Sequence, residues 1–461
     1  MTSRSADPTV PAPATAREPA GQLGPARLAP ARRFLAGAAW AGLAAHAVFL
    51  PISVAGMQIG LAVAVGAVVG LALCGRRVWR PGLVAAPVLI LCGGAIAAIV
   101  VPWLAGFPPL HALDLVFWRA FAAPLAVVLA LEAGPDGEDP AAPRRRALTF
   151  LALWAAAALL PAAVAWVQVR TGFDPNHALG LRRVARRVPA PDAPGRFAAI
   201  GFFMWYTRLS YAMLVVAAFS GAFALLAPVG RRLRLLFAVA ALAACSAVVL
   251  GGSRAAWGAL SVVAVAVALL AGRRVARVAV PLAVVVSLVA GAASPGLRAR
   301  LVRLATSEDA NGDRAMTWRV CRELVREHPW TGTGFNALGV RIDPYFERFA
   351  PVGQTRDRCH DVLFSAWAEG GPLFALAVAA WWFLLFRAFL RLRREADPLG
   401  RAAAAAVLAG LTGLFVLSLV HDLIWASEAA FAIGGLVGAG YVLARPRAGA
   451  ATPRSSAAAP P

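Results

Sequence analysis

Lysine is missing from this chain of 461 residues; all 45 of its basic side chains are arginine. That bias reads as coding preference in a GC-rich genome and carries no functional signal by itself. Charge of either sign is scarce too: 15% of residues are charged against 60% hydrophobic, with a mean hydropathy of +0.69. Such a composition excludes an ordinary soluble protein. The first 33 residues, rich in Pro, Ala and Arg, lack both an apolar core and a small-residue cleavage pattern. They read as a disordered tail and not as a secretory signal. The net charge of +22 would point to nucleic acid in a soluble protein, but these arginines cluster between apolar runs, so they report topology and no nucleic-acid partner is expected. No internal repeat is visible, and no Cys/His spacing suits zinc.

What the chain does have is apolar runs of bilayer length. They lie near residues 34 to 55, 57 to 74, 83 to 104, 112 to 133, 147 to 168, 206 to 227, 233 to 251, 255 to 271, 275 to 293, 362 to 390, 402 to 421 and 427 to 443. The fold expected is therefore all-α and polytopic, with about twelve transmembrane helices. Placing the N-terminal tail inside puts six arginine clusters in the cytoplasm: Arg76, Arg77 and Arg80; Arg144 to Arg146; Arg231, Arg232 and Arg234; Arg273, Arg274 and Arg277; Arg387 to Arg401; Arg445 and Arg447. All six obey the positive-inside rule. The expected organisation is a tail at 1–33, helices one to nine over 34–293, a large outer loop at 294–361, helices ten to twelve over 362–443, and a tail at 444–461. Both termini are then cytoplasmic.

Two long segments remain outside. The first, about 169–205, holds Arg170, Arg182, Arg183, Arg186, Arg187 and Arg196 against only Asp174 and Asp192. Long loops translocate largely regardless of charge. This one reads either as a seat for anionic lipid head groups or as a solvated arginine-rich loop. In the second, the stretch DRAMTWRVCRELVRE (Asp313 to Glu327) predicts a short amphipathic helix, with Met316, Val320 and Leu324 at four-residue steps and Pro329 just past its end. Arg314, Trp318 and Cys321 fall at i, i+4 and i+7 and so share one face. Spacing leaves open whether Cys321 and Cys359, the two outer cysteines, form a bridge or stay as thiols.

Three residues on the outer side could carry chemistry together. Arg254 lies in GGSRAAW between helices seven and eight, Arg314 starts the loop helix, and His360 stands at the mouth of helix ten in RCHDVLFSAWAEGGPLF. Singly each has a bland reading, since edge arginines snorkel to head groups and a lone histidine is more often structural. As a set, two guanidiniums can grip a diphosphate and an imidazole can take a hydroxyl proton.

The order of these motifs, with GRFAAIGFFMWYTRLSYA (Gly195 to Ala212) and DRAMTWRVCRELVREHPWTGTGFN, resembles the O-antigen ligase and polymerase family of bacterial envelope glycosyltransferases over roughly residues 190 to 380. The resemblance implies transfer of a glycan from undecaprenyl diphosphate to an acceptor hydroxyl of a lipid A core, a growing polysaccharide or a protein, on the outer face of the bacterial inner membrane. It implies no cofactor and no metal. It places essential arginines on Arg254 and Arg314 and an essential histidine on His360, with Arg196 as a weaker substrate-binding candidate. The family usually has Asn after this histidine, whereas Asp361 stands here; a carboxylate there could raise the imidazole pKa and change how the acceptor is oriented. The outer loops also lack a D-x-D motif, which argues against metal-dependent glycosyl transfer. The rival from another class is a twelve-helix transporter or flippase of a lipid-linked saccharide, in which the same arginines would only cradle the ligand; no half-repeat supports it.

The remaining polar residues read mostly as structural, with Glu369 reading equally as structural or functional. Glu369, inside helix ten, is an expensive acid unless paired, with Arg119 of helix four as its candidate partner. His46, His421, Asp422 and Glu428 read as helix-to-helix hydrogen bonders. The topology itself is testable: with native cysteines replaced, Cys introduced at Gly137 or Ala396 should be shielded from an impermeant thiol reagent in intact spheroplasts. Cys at Ala190 or Asn311 should be labelled, and the reverse pattern would invert the orientation.

Overall fold

The computed structural model describes residues 25–76, 82–111, 114–134, 139–190, 195–277, 281, 312–349 and 358–446. Among them there is no β-strand, only an isolated bridge between Pro189 and Phe197. The long helices are α1 (Pro25–Phe49), α2 (Val54–Leu73), α3 (Ala85–Leu104), α4 (Leu115–Glu132) and α5 (Ala142–Thr171). After the four-residue α6 (Pro175–Ala178) come α7 (Tyr206–Leu226), α8 (Arg231–Gly251) and α9 (Arg254–Ala271). The segment between α9 and the next long helix holds α10 (Gly312–Glu327), α11 (Leu338–Arg341) and α12 (Asp343–Phe349). The chain closes with α13 (Val362–Glu395), α14 (Pro398–Ser418), a 3-10 turn at Leu423–Trp425 and α15 (Ser427–Ala444).

Ten of these helices are long and apolar enough to cross a membrane: α2 to α5, α7 to α9 and α13 to α15. They coincide with ten of the twelve expected runs. The first expected span is helical but differs in kind, because α1 carries Arg32 and Arg33 among many alanines and is less apolar than those ten. It also begins at Pro25, inside the segment read as a disordered tail. The ninth run, 275 to 293, lies almost wholly outside the described residues.

One end of the bundle is tied by arginines. Arg144 of α5 grips Asp397, the N-cap of α14, with both terminal nitrogens at 2.6 and 2.7 Å. Arg445 pairs with Glu132 at the end of α4. Arg32, Arg146 and Arg393 donate to the carbonyls of Cys74, Leu131 and Leu270, oxygens near helix C-termini that have lost their helical donors and favour cations.

The other end is organised by two prolines. Pro102 in α3 and Pro372 in α13 have no N–H, so the carbonyls four residues earlier, Ala98 and Ala368, lack helical donors. The stretch TGTGFN supplies both: Phe335 N–H donates to Ala98 O at 2.9 Å, and Thr333 N–H to Ala368 O at 2.9 Å. Gly334 N–H adds a bond to Glu369 O at 2.7 Å. This hook lies against a break in α13 at Gly370 (φ −130°, ψ 16°) and Gly371 (φ 66°, ψ −165°). A Cβ on Gly332 would lie 2.5 Å from the Glu369 carbonyl carbon, so only glycine lets the two backbones meet there.

Beside the hook, the segment of α10 to α12 has its own small core, with Val320, Cys321 and Leu324 of α10 packed on Leu338, Ile342 and Phe346. Gly371 occupies a region of backbone space open essentially to glycine alone, and any Cβ on it would collide with the carbonyl oxygen of Trp330. Gly371→Ala is therefore expected to cost about 3 kcal/mol or more. A thermal melt of the purified variant in detergent should show the loss; an unchanged melting temperature would mean that the hook does not seat on this break.

Candidate functional site

His360 sits in a left-handed turn (φ 53°) immediately before α13. That conformation is uncommon for a non-glycine residue and must be held by its surroundings. What holds it is Asp422, in the link between α14 and α15. The His360 N–H donates to Asp422 Oδ2 at 3.0 Å, and the hydroxyl of the buried Ser365, one turn into α13, donates to Oδ1 at 2.5 Å. Burial pushes the Asp422 carboxyl up to about 6, while the Ser365 hydroxyl, Arg358 and His360 oppose that rise. The His421 ring stands edge-on to His360, with centroids 6.3 Å apart, and 5.6 Å from the Tyr211 ring of α7.

Asp361 has a different post. It is the N-cap of α13, its Oδ1 accepting from Leu363 N–H at 2.9 Å and Phe364 N–H at 2.8 Å. These bonds satisfy two amides that begin the helix. The carboxylate that holds the His360 backbone is thus Asp422 and not its sequence neighbour.

Glu369 corrects another expectation. Its partner is Arg358, whose Nη1 lies 2.5 Å from Oε1, and not Arg119, which is exposed on α4. The fully buried carboxylate also accepts from Asn336 N–H at 2.8 Å and from the Trp425 indole N–H at 3.1 Å. Arg358 completes the cluster by donating to Asn336 Oδ1 at 2.8 Å and lying 5.1 Å over the Trp425 ring.

Arg254 opens α9, directly after the N-cap Ser253. Its turn is anchored to the GRFAAIG motif: Ala199 N–H donates to Leu250 O at 3.2 Å, and a Cβ on Gly251 would lie 2.8 Å from Ser210 Oγ of α7. Gln168 of α5 holds the motif from the other side by accepting from the amides of Ile200 and Gly201. One turn of α7 therefore meets the Arg254 hairpin through Ser210 and the His360 cluster through Tyr211. Arg196 is exposed beside the Pro189 to Phe197 bridge; its carbonyl accepts from Ala190 N–H at 3.0 Å.

Arg314 lies in the first turn of α10. That helix is joined covalently to the base of the His360 turn, because Cys321 and Cys359 form a disulfide with Cα atoms 5.9 Å apart. The expected apolar stripe is present, with Val320 and Leu324 fully buried. The proposed common face of Trp318 and Cys321 divides, however: Cys321 is buried and Trp318 is 41% exposed. In the 169–205 loop, Asp174 takes Arg182 Nη1 and the Arg186 N–H, each at 2.8 Å, and Arg186 stacks 4.2 Å over Trp205.

Sequence reasoning missed Asp422, Ser365, Tyr211 and Arg358 as site members. Asp422 and Glu428 were assigned to helix contacts; Glu428 does make one, to Arg208 of α7, whereas Asp422 serves the His360 turn. His46 bonds Met57 O of α2 at 2.6 Å, as a helix-to-helix polar contact should. The only advance signal for Asp422 was an acid beside a histidine in a short outer link.

Residues 239–378 match the family model described as O-antigen ligase. The match takes in Arg254, Arg314, His360, Asp361 and Glu369, and leaves out Arg196 and Asp422. No curated protein matches the chain.

The bridge makes a chemical prediction. Denatured without reductant, the protein should take up an alkylating reagent at Cys74, Cys92 and Cys245 only, with Cys321 and Cys359 joining after reduction. Because the bridge closes a 38-residue separation, Cys321→Ser should lower the stability of the outer segment by about 3–4 kcal/mol. Hydrogen exchange across α10 to α12 reads that loss, and equal protection in both forms would remove the bridge from the account.

Proposed function

We propose, from the O-antigen ligase domain that residues 239–378 carry, that this multi-pass membrane protein transfers a glycan from undecaprenyl diphosphate to an acceptor hydroxyl, with His360 as general base. One observation carries the assignment: His360 is held in an uncommon backbone conformation at a helix mouth, against a half-buried carboxylate that is attracted to its charge. In the reaction the acceptor O–H gives its proton to the imidazole while the oxygen attacks the anomeric carbon. The carbon–oxygen bond to the diphosphate breaks, and the bonding pair leaves with the phosphate. The leaving diphosphate supplies the driving force, so the protein has to align the reactants and place positive charge at the departing oxygens.

Arg254 and Arg314 fit that second task. Each stands at the start of a helix, where the helix dipole adds to the guanidinium's attraction for an anion. Arg196, exposed on the segment tied to the Arg254 hairpin, is a further contact for the donor. Asp361 stays in the proposal as a substrate neighbour through its place beside His360, although its Oδ1 caps α13. The end of the bundle bearing these groups is proposed to face outward. A disulfide in the outer segment supports that orientation, since bridges persist in oxidising compartments, and so does the gathering of arginines at the opposite end. The acceptor is a lipid A core, a polysaccharide or a protein hydroxyl.

Purified protein in lipid, given lipid-linked oligosaccharide and candidate acceptors, tests the reading directly. His360→Ala should cut transfer by about 10²- to 10⁴-fold with donor binding largely retained. Arg254→Lys and Arg314→Lys should lose activity despite keeping charge, because lysine lacks the planar two-donor grip. Asp422→Asn should move the acidic limb of the pH–rate profile to lower pH: without the carboxylate's attraction, the imidazolium gives up its proton earlier as pH rises. Near-normal turnover by His360→Ala would refute the base, and movement of intact donor without bond formation would make the protein a transporter.

A further inference from the structure

Glu369 is a buried acid, and the only charged residue between Val362 and Phe386 of α13. Removing a carboxylate from water costs several kcal/mol, and a well-packed hydrophobic residue would serve stability as well or better. What the charge does provide is a meeting point. Its two oxygens collect donors from three separate segments: Asn336 from the hook, Arg358 from the turn before α13, and Trp425 from the link before α15. The last two are the flanks of the site. Arg358 stands two residues before His360, and Trp425 three residues after Asp422.

We propose that Glu369 is a positioning residue for His360, fastening the His360 turn and the Asp422 link to one carboxylate so that the pair stays in register. The inference rests on the reading of His360 as the base. Geometry supports it on both sides. On one side, the Arg358 fork spans Glu369 Oε1 at 2.5 Å and Asn336 Oδ1 at 2.8 Å, which fixes the plane of the guanidinium and with it the backbone leading through Cys359 to His360. On the other, the Trp425 indole N–H reaches Oε2 at 3.1 Å while Phe374 packs edge-on against the same ring at 6.2 Å. The link bearing Asp422 is therefore held at its far end. Neither Glu369 nor Trp425 touches the substrate in this scheme. A left-handed His360 has no local reason to stay where it is, and a displacement of about 1 Å in a base can cost on the order of 10² in rate.

The role also places the outer loop in the catalytic logic. Asn336 reaches Glu369 only when the hook is seated on Ala98 and Ala368. Docking of the loop that carries Arg314 then completes the carboxylate's shell, and donor grip and base alignment are set by one folding event.

The test uses the full-length protein in lipid. Glu369→Gln keeps the shape and loses the charge that holds Arg358; Trp425→Phe keeps the ring and loses the indole N–H. Glu369→Gln should lower kcat by about 10- to 100-fold, with KM for the lipid-linked donor within about twofold, and Trp425→Phe should show a smaller loss of the same kind. Both should move the acidic limb of the pH–rate profile in the direction of Asp422→Asn, since the groups facing that carboxylate are His360, Arg358 and the Tyr211 phenol. In a His360→Ala background, Glu369→Gln should add nothing, because residues that act as a unit are non-additive. A purely structural role would reduce the amount of active protein, leave the limb in place and add its loss to that of His360→Ala; that pattern overturns the proposal. If Glu369→Gln fails to fold, Trp425→Phe decides: a shifted limb with unchanged KM supports positioning, and an unmoved limb refutes it. An active His360→Ala would instead refute the base itself, whatever Glu369 does.

Discussion

The structure depends on two carbonyl oxygens that proline leaves without donors. Ala98 and Ala368 sit four residues before Pro102 and Pro372, on helices that pack side by side. A buried unpaired carbonyl costs about 1–3 kcal/mol, and in an apolar surround no water replaces the missing partner. The hook TGTGFN satisfies both with consecutive odd-numbered amides, Thr333 and Phe335, while the amide between them serves Glu369 O. Each proline thus creates a vacancy that only a segment from outside the helix can fill. The vacancies specify where the loop before α13 must dock more sharply than apolar packing could, because a hydrogen bond is directional and a hydrophobic contact is not.

Charge is scarce, and several of the described acids have a defined task. At the arginine-rich end, Asp397 and Glu132 each take one arginine and join helices that are distant in sequence. At the opposite end Glu428 joins α15 to Arg208 of α7, and four other acids serve turns and loops. Asp361 caps α13, Asp174 gathers the arginine loop, Asp422 fixes the His360 turn, and Glu369 gathers the segments around it. Both ends use the same chemistry for different purposes. Arginine–carboxylate pairs lock the bundle, bidentate at Arg144 and Asp397, while acceptors of backbone and indole donors shape the turns around His360.

Helices were legible because bilayer length and hydropathy are local properties, and ten of the expected runs needed nothing more. The outer amphipathic helix was equally local, with Val320 and Leu324 buried as their spacing requires. Glu369 was not legible. An acid inside a predicted span invites a partner on another span, yet its partner is Arg358, eleven positions earlier in the loop. Folding it inward requires the break at Gly370 and Gly371 and the hook, neither of which has a periodic signature. Asp422 was hidden for a related reason. It lies between two spans, where polar residues ordinarily bond helices together, and its contact to a backbone N–H 62 residues away leaves no mark on side-chain pattern. The family match covers Arg254, Arg314 and His360, whose motifs are local, and stops short of Asp422.

The substitution of Asp361 for the expected Asn takes on a simpler meaning in this geometry. An N-cap needs a short side chain with an acceptor oxygen, and Asn and Asp satisfy that need about equally. Oδ1 of Asp361 makes both capping bonds, so the cap is indifferent to whether the other terminal atom is an amide nitrogen or an oxygen. The difference bears on charge at the mouth of α13. An Asn would leave Asp422 as the carboxylate beside His360; an Asp adds a second carboxylate next to the imidazole in sequence. If His360 is the base as proposed, that extra charge would disfavour an acceptor with a phosphate or carboxylate close to its reacting hydroxyl, because two like charges converging in a partly buried site repel strongly. Asp at this position thus changes the charge at the mouth of α13 without changing the cap, because both capping bonds need only Oδ1.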